Sequence, residues 1–165
     1  MKILNAKICS NGQIFDGEVT VDGERIASVT PKETSSSLDE TIIDAKGMYV
    51  IPGLLDVHFH GCVGYDTCDA SKEAFDKIAE YEGSEGVLAI CPATMTYPED
   101  KLSEIMDIAA DYESPVGADF VGLHLEGPFI NPVYKGMQKE ECCLLPDVTV
   151  MEDLYNTCLL YTSDA

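Results

Sequence analysis

Two stretches of the sequence decide the fold: Pro52-Gly53-Leu54-Leu55-Asp56-Val57-His58-Phe59-His60-Gly61 and Gly122-Leu123-His124-Leu125-Glu126-Gly127-Pro128-Phe129. Each is an apolar run that ends in two side chains able to bind a metal, spaced two residues apart. On a β-strand that spacing puts both side chains on one face. The chain has only three histidines, and all of them fall in these two stretches. The sequence therefore predicts two strands whose ends carry metal ligands.

The residues around these stretches alternate between strand-like and helix-like patterns. Apolar runs at 48–57, 87–91 and 120–125 predict three buried strands. Helical spacing of apolar residues predicts a helix after each strand, the first of them capped by Ser71 and ending near Gly83. Strands that alternate with helices form parallel sheets with right-handed crossovers. The predicted fold class is therefore α/β. Both motifs would lie at the carboxyl ends of parallel strands, where a β/α barrel or an open doubly wound sheet places its site.

The first 45 or so residues follow a different pattern, of short strands joined by tight turns. The dipeptides Asn11-Gly12, Asp16-Gly17 and Asp22-Gly23 are typical of hairpin turns. The polar stretch from Thr34 to Glu40 predicts an exposed loop.

Composition narrows the function classes. Thirty acidic residues against ten basic ones give a formal charge of −20, so we expect neither a nucleic acid nor a membrane as a partner. No apolar stretch reaches the roughly 20 residues that a membrane span needs, and the N-terminus shows no signal peptide. The seven cysteines have no regular spacing and are typical of small core residues in a reduced protein. We expect a cytoplasmic location.

The residue types at the strand ends predict hydrolytic metal chemistry. His58 and His60 offer imidazoles and Glu126 a carboxylate, a set that suits zinc or iron. A metal with an open coordination position activates water and polarises a carbonyl, which favours hydrolysis of an amide or ester, or deamination. His124 and Asp56 each lie two residues before a ligand on the same face. We expect them to support the ligands or pack behind them rather than bind the metal.

Two threonines and a glycine–proline pair lie close to the predicted site. Thr94 and Thr96 follow the second strand and could reach the site, but the simpler interpretation is ordinary loop hydroxyls. Gly127-Pro128 predicts a sharp turn that presents Glu126 at the rim of the sheet.

The two motifs resemble those of a known family. The stretch from Pro52 to Gly61 resembles the first-strand motif of the amidohydrolase superfamily. The stretch from Gly122 to Phe129 resembles the signature of the N-acetylglucosamine-6-phosphate deacetylases within it. Residues 86–100 and 131–136 also resemble that family, and the resemblance extends to about Tyr155.

The resemblance implies a (β/α)₈ barrel accompanied by a small β-sandwich domain. In that arrangement residues 1–47 would be the N-terminal part of the sandwich. Residues 48–157 would form the first three β/α units of the TIM barrel. The last eight residues, 158–165, match nothing expected of the third helix, and we expect them to be a non-native tail.

The resemblance also implies an activity in amino-sugar catabolism: metal-dependent hydrolysis of the acetamido group of N-acetylglucosamine 6-phosphate to glucosamine 6-phosphate and acetate. Glu126 matches the family's metal ligand. His58 and His60 match a pair that supports a second metal in many members, so one or two divalent ions are expected. Met137 and Gln138 match positions that line the sugar site. The partner would be the phosphorylated amino sugar, and the full-length form a homodimer.

Some groups implied by the resemblance have no counterpart in this sequence. Two further histidine ligands, the general acid/base aspartate and the phosphate-binding residues would lie beyond residue 165. We therefore expect an N-terminal fragment that is inactive by itself. Two alternatives stay open. One is another amidohydrolase, such as a deaminase or cyclic amidase, and the other is a short non-catalytic protein that binds metal or a partner.

Overall fold

The computed structural model describes residues 1–31, 41–157 and 160–164, and the chain divides into two compact units, Met1–Pro52 and Gly53–Ala165. The loop predicted from Thr34 to Glu40 lies outside the described residues. The fold is α/β, as the alternating pattern predicts, and its sheets include both parallel and antiparallel pairings. Across the described ranges, no helix combines the length and the apolar character needed to cross a bilayer.

The first unit is a five-stranded sheet. Its strands are β1 (Lys2–Ser10), β2 (Gln13–Asp22), β3 (Arg25–Pro31), β4 (Ile42–Asp44) and β5 (Tyr49–Val50). The first three form antiparallel hairpins, whereas β4 and β5 both run parallel to β1. The turns predicted near Asn11-Gly12 and Asp22-Gly23 are confirmed, since they join these strands.

The turn predicted at Asp16-Gly17 is wrong, because both residues lie inside β2 and pair with β1. A Cβ atom at Gly17 would come within 2.5 Å of the Thr30 carbonyl oxygen on β3. The glycine therefore allows a close approach of two backbones rather than a reversal of the chain.

The second unit contains the remaining elements. Its strands are β6 (Leu54–Asp56), β7 (Gly61–Cys62), β8 (Tyr65–Asp66), β9 (Val87–Ile90), β10 (Asp119–Phe120), β11 (Leu123–Glu126) and β12 (Leu160–Asp164), and its helices are α1 (Lys72–Ser84), α2 (Glu99–Ala110) and α3 (Val148–Thr157). Strands β6, β9 and β10 form one parallel sheet, in which β9 is central. Strand β11 pairs in parallel with β12, and β7 and β8 form a small antiparallel hairpin.

The single buried strand predicted over residues 48–57 is wrong. The segment contains two short strands, β5 in the first unit and β6 in the second. Pro52 and Gly53 separate them, and proline lacks the N–H that a strand ladder needs. Strand β6 is also not buried on both faces, since Leu55 is 69% exposed. The strand predicted at 120–125 is likewise split, at Gly122, into β10 and β11.

The helices follow the predicted apolar spacing. The Ser71 hydroxyl caps α1 by accepting a hydrogen bond from the Ala74 amide at 3.1 Å. Helix α1 packs on β9, and Phe75 and Ile78 are fully buried. In α2 the predicted apolar stripe is wholly buried: Leu102, Ile105, Met106 and Ala109. Helix α1 therefore covers the parallel sheet, and the buried stripe of α2 shares a core with Leu123 and Leu125 of β11.

Candidate metal centre

Backbone hydrogen bonds bring the ends of three strands side by side. Beyond β9, the Ala93 amide donates to the Phe59 carbonyl at 2.7 Å. On the other side of the same segment, the His124 amide donates to the Pro92 carbonyl at 3.0 Å, and Ala93 forms a parallel bridge with His124. The chain after β9 therefore lies between the chain after β6 and strand β11. This arrangement brings residues 58–60 close to Glu126.

Three predicted ligands converge at these strand ends. His60 Nε2 lies 3.2 Å from Glu126 Oε2, and His58 Nε2 lies 3.5 Å from the same oxygen. One ligand atom from each residue falls within 4.8 Å of the other two. The Glu126 side chain is only 21% exposed, whereas His58 is 44% exposed. The cluster is thus anchored below by the carboxylate and open to solvent on the histidine side.

These separations suit a metal ion. Two ligands that each lie about 2.0–2.1 Å from a tetrahedral zinc ion are roughly 3.3–3.4 Å apart. The His–Glu distances of 3.2 and 3.5 Å bracket that value. Glu126 Oε2 is also buried and accepts no hydrogen bond within the described residues. A buried carboxylate oxygen of this kind is stabilised by a cation, so the residues present fit a divalent metal.

His60 is held in the orientation and tautomer that a ligand needs. Its Nδ1 atom lies 3.3 Å from the Ala93 carbonyl oxygen, which can only accept a hydrogen bond. Nδ1 must therefore carry the hydrogen, which leaves the Nε2 lone pair of the neutral ring facing Glu126. The buried Thr67 fixes the backbone at this point, because both its amide and its hydroxyl donate to the His60 carbonyl at 2.7 Å.

His58 is supported by the two residues that the sequence places behind the ligands. The His58 amide donates to Asp56 Oδ1 at 3.1 Å, so this carboxylate holds the backbone of a ligand. The ring of His124 packs edge-on against the ring of His58, with centroids 4.5 Å apart. His124 is 5% exposed and lies beneath the cluster. Both contacts restrict where the His58 imidazole can point.

Glu126 is held by a different set of contacts. Gln138 Nε2 donates to Glu126 Oε1 at 2.5 Å, and the Thr96 hydroxyl donates to the Glu126 carbonyl at 3.1 Å. The Thr96 amide in turn donates to Gln138 Oε1 at 2.8 Å. Gln138 is 4% exposed, whereas its neighbour Met137 is 93% exposed. Of the two residues predicted to line the sugar site, only Met137 presents its side chain to solvent.

Sequence reasoning missed two residues that shape the site. The sequence favours an ordinary loop hydroxyl at Thr96, whereas in the structure Thr96 is buried and hydrogen-bonds to both Gln138 and Glu126. The available signal was its position shortly after a predicted strand that leads into the site. Thr67 gave no usable signal, because its role depends on a short 3₁₀ turn, Thr67–Asp69, capped by Asp66.

The Cys68 thiol, which accepts a hydrogen bond from the Met95 amide at 3.3 Å, is unsuited to metal binding. Burial raises the pKa of the Cys68 thiol to about 12. A thiol with that pKa stays protonated near neutral pH, and the thiolate is the form that binds metals. Cys91 and Cys142 are buried, in keeping with the expectation that the cysteines are small core residues.

The parallel strands, with His58, His60 and Glu126 at their ends, define an α/β protein with a cluster of side chains that could hold a metal ion. Two known deacetylases are similar to the chain, one in sequence and one in structure. The chain is similar to the N-acetylglucosamine-6-phosphate deacetylase of Bacillus subtilis, with 28% identity over 152 residues that span 89% of this chain and 38% of the relative. The deacetylase structure from Thermotoga maritima matches it with a TM-score of 0.75 and 27% identity, over 93% of this chain and 39% of that chain.

These similarities confirm the resemblance to N-acetylglucosamine-6-phosphate deacetylases that the two motifs indicate. A dihydroorotase of Staphylococcus epidermidis is also similar, with 31% identity over 149 residues that span 78% of this chain and 34% of the relative. No protein-family model matches the chain. The chain spans about 38% of the length of the Bacillus subtilis relative.

Proposed function

We propose that this chain carries part of the metal centre of an enzyme that removes the acetyl group of N-acetylglucosamine 6-phosphate, giving glucosamine 6-phosphate and acetate. The observation that carries the proposal is the convergence of His58 and His60 on the buried Oε2 atom of Glu126. The similarity to N-acetylglucosamine-6-phosphate deacetylases supplies the reaction and the substrate class.

The architecture proposed for the second unit is the first three β/α units of a TIM barrel. The parallel sheet of β6, β9 and β10, the helices that follow β9 and β11, and the site at the carboxyl ends of the strands support this arrangement. The first unit is proposed to be the N-terminal part of a β-sandwich. The hydrogen-bonded strands that form its sheet are consistent with that role.

His58, His60 and Glu126 would hold the divalent metal, zinc or iron, with one or two ions in the complete site. When bound, such an ion supplies Lewis-acid activation of water and polarisation of the acetamide carbonyl. The residues of this chain bind and orient. Glu126 contributes a negative charge at the base of the site, and His60 offers its Nε2 lone pair because Nδ1 is engaged by Ala93.

The open histidine side of the cluster is where a substrate would approach. His58 is exposed there, and the side chain of Met137, 93% exposed, is free to contact a sugar ring. The general acid/base aspartate and the phosphate-binding groups are proposed to lie in sequence beyond residue 165. A cytoplasmic location and a homodimeric full-length form complete the proposal.

Acetate release from N-acetylglucosamine 6-phosphate tests this function. The gene would first be resequenced across the codons for Tyr155 to Ala165. The protein that it encodes would then be assayed together with two variants, Glu126→Gln and the surface control Glu104→Gln. We expect release by the unsubstituted protein and by Glu104→Gln, and none by Glu126→Gln. We also expect the 165-residue chain to release none by itself. Equal release by the Glu126 variant would overturn the proposed role of the metal centre.

A second candidate is a cyclic-amide hydrolase, which the similarity to the Staphylococcus epidermidis dihydroorotase favours. Both reactions hydrolyse an amide-type bond and need the same metal chemistry, so the His58, His60 and Glu126 cluster does not separate them. Assaying the same protein with dihydroorotate, hydantoin and the acetylated amino sugar does. Turnover of only the cyclic amides would replace the deacetylase proposal with this one.

A further inference from the structure

Gln138 lies between the ends of two strands of the second unit. Its side-chain amide spans from the Thr96 amide, beyond β9, to the Glu126 carboxylate at the end of β11. At 4% exposure it is one of the few buried polar residues among those described. A buried amide with such contacts either stabilises the fold or orients the carboxylate that it contacts.

The contacts fix which way the amide points. The Thr96 amide can only donate a hydrogen bond, so the atom at 2.8 Å from it must be the oxygen Oε1 of Gln138. The Nε2 group therefore faces Glu126 and donates to its Oε1 atom at 2.5 Å. Reversing the amide would place two donors together at Thr96 and two acceptors together at Glu126. The orientation is thus determined by chemistry at both ends.

Because of this hydrogen bond, the two carboxylate oxygens of Glu126 have different partners. Oε1 is occupied by Gln138, whereas Oε2 faces His60 and His58 at 3.2 and 3.5 Å. A hydrogen-bonded outer partner of this kind orients a metal ligand. The Thr96 hydroxyl adds a bond to the Glu126 carbonyl, so backbone and side chain are held together.

We propose that Gln138 is a positioning residue that orients the Glu126 carboxylate and leaves only Oε2 for the metal, an inference that rests on the proposed metal centre. Both polar ends of the Gln138 amide are engaged within the protein. The exposed Met137 is the better placed of the two neighbours for substrate contact.

The test compares Gln138→Met with Lys135→Met in the 165-residue chain. Methionine at 138 keeps the length and burial of the side chain but removes the donor. The Lys135 variant removes a hydrogen bond from Nζ to the Gln138 carbonyl at 3.0 Å and leaves the amide in place. Circular dichroism confirms folding. Zinc affinity is measured by competition with a chromophoric chelator, and the ligand geometry by the visible absorption of the cobalt-substituted protein.

We expect Gln138→Met to lower zinc affinity by roughly 10- to 100-fold, as is typical of a lost supporting partner. The cobalt absorption should also weaken, because a released Oε1 can join the coordination shell. Lys135→Met should retain the affinity and the absorption of the unsubstituted chain. Unchanged affinity and absorption in Gln138→Met would overturn the proposal, as would an equal loss in both variants.

A metal-free measurement separates this inference from the proposed function. The side-chain amide protons of Gln138, observed by nuclear magnetic resonance, should shift and exchange faster in Glu126→Gln than in the unsubstituted chain. If the unsubstituted chain binds no zinc but the Gln138 resonances do change in Glu126→Gln, the metal centre is refuted and the contact between Gln138 and Glu126 is supported. If the chain binds zinc but the Gln138 resonances are the same in Glu126→Gln, the positioning role is refuted and the metal centre is supported.

Discussion

His60 Nε2 lies 3.2 Å from Glu126 Oε2, while the other nitrogen of the same ring lies 3.3 Å from the Ala93 carbonyl. Nδ1–H donates a hydrogen bond to this carbonyl, so the Nε2 atom facing the carboxylate oxygen carries a lone pair. Two acceptors at that distance are favourable only with a proton or a metal cation between them. The pair therefore links the strand ends of the second unit through an ion-binding geometry.

Glu126→Gln should abolish high-affinity zinc binding. The substitution keeps the size of the side chain but removes the charge that offsets a divalent cation. We expect a loss larger than the roughly 10- to 100-fold cost of removing a supporting residue. Isothermal titration calorimetry of the purified chain measures it. Glu104→Gln is the control, because Glu104 is an exposed carboxylate paired with Lys101 on the surface of α2. Equal affinities in the two variants would contradict the predicted ligand.

Gly127→Ala should destabilise the second unit and weaken zinc binding together. Gly127 has φ +86°, and a Cβ atom there would lie 2.2 Å from the Thr96 hydroxyl oxygen. Gly64 has a matching φ of +87° but open space around it. Gly64→Ala should therefore cost only the backbone strain, about 1–2 kcal/mol. Gly127→Ala should cost roughly 1–3 kcal/mol more, because it also overpacks a buried site.

Urea unfolding of both glycine variants provides the comparison. A larger loss in Gly127→Ala, with reduced zinc affinity only in that variant, would show that the contact with Thr96 positions Glu126. Equal losses of stability would mean that the neighbouring threonine moves away at no cost.

The sequence predicted those parts of the site that depend on local pattern. His58 and His60 follow β6 rather than lying on it, but the position of Glu126, two residues after His124 at the end of β11, follows from the two-residue period of a strand. The helices were predictable for the same reason, since Ser71 and the apolar stripe of α2 act within a few turns.

The parts that failed depend on contacts between distant segments. Asp16-Gly17 looks like a turn, yet Gly17 allows close approach to Thr30 on another strand. Gln138 touches Thr96 and Glu126 through a loop whose path no periodicity records. The predicted strand at 48–57 failed because an apolar run does not show that its halves join different sheets.

Val63→Asn should stabilise the chain. Val63 and Gly64 form the two-residue turn between β7 and β8, and both have positive φ, 47° and 87°. A β-branched residue is strained in that region, whereas asparagine is favoured in such hairpin turns. We expect a gain of roughly 1 kcal/mol in the free energy of unfolding. Val116→Asn is the matched control, since Val116 is similarly exposed at 57% but has no positive φ. A gain in the control, or none at Val63, would contradict the prediction.

The unfolding free energy should fall as pH rises between about 10 and 12, and Tyr112 should account for part of the fall. Burial, together with the nearby Asp76 carboxylate, raises the pKa of Tyr112 from 10.0 to about 12. The unfolded chain releases the phenolic proton at the ordinary pKa while the folded chain retains it, so ionisation favours unfolding in this window.

Tyr112→Phe should lose a hydrogen bond to Asp76 of 3.1 Å and be less stable at neutral pH. Its stability should then decline less steeply, by up to about 2–3 kcal/mol across the window. Urea titrations at several pH values measure this, with the exposed Tyr155→Phe as the control expected to follow the unsubstituted protein; parallel curves for Tyr112→Phe and the unsubstituted chain would rule out the assignment.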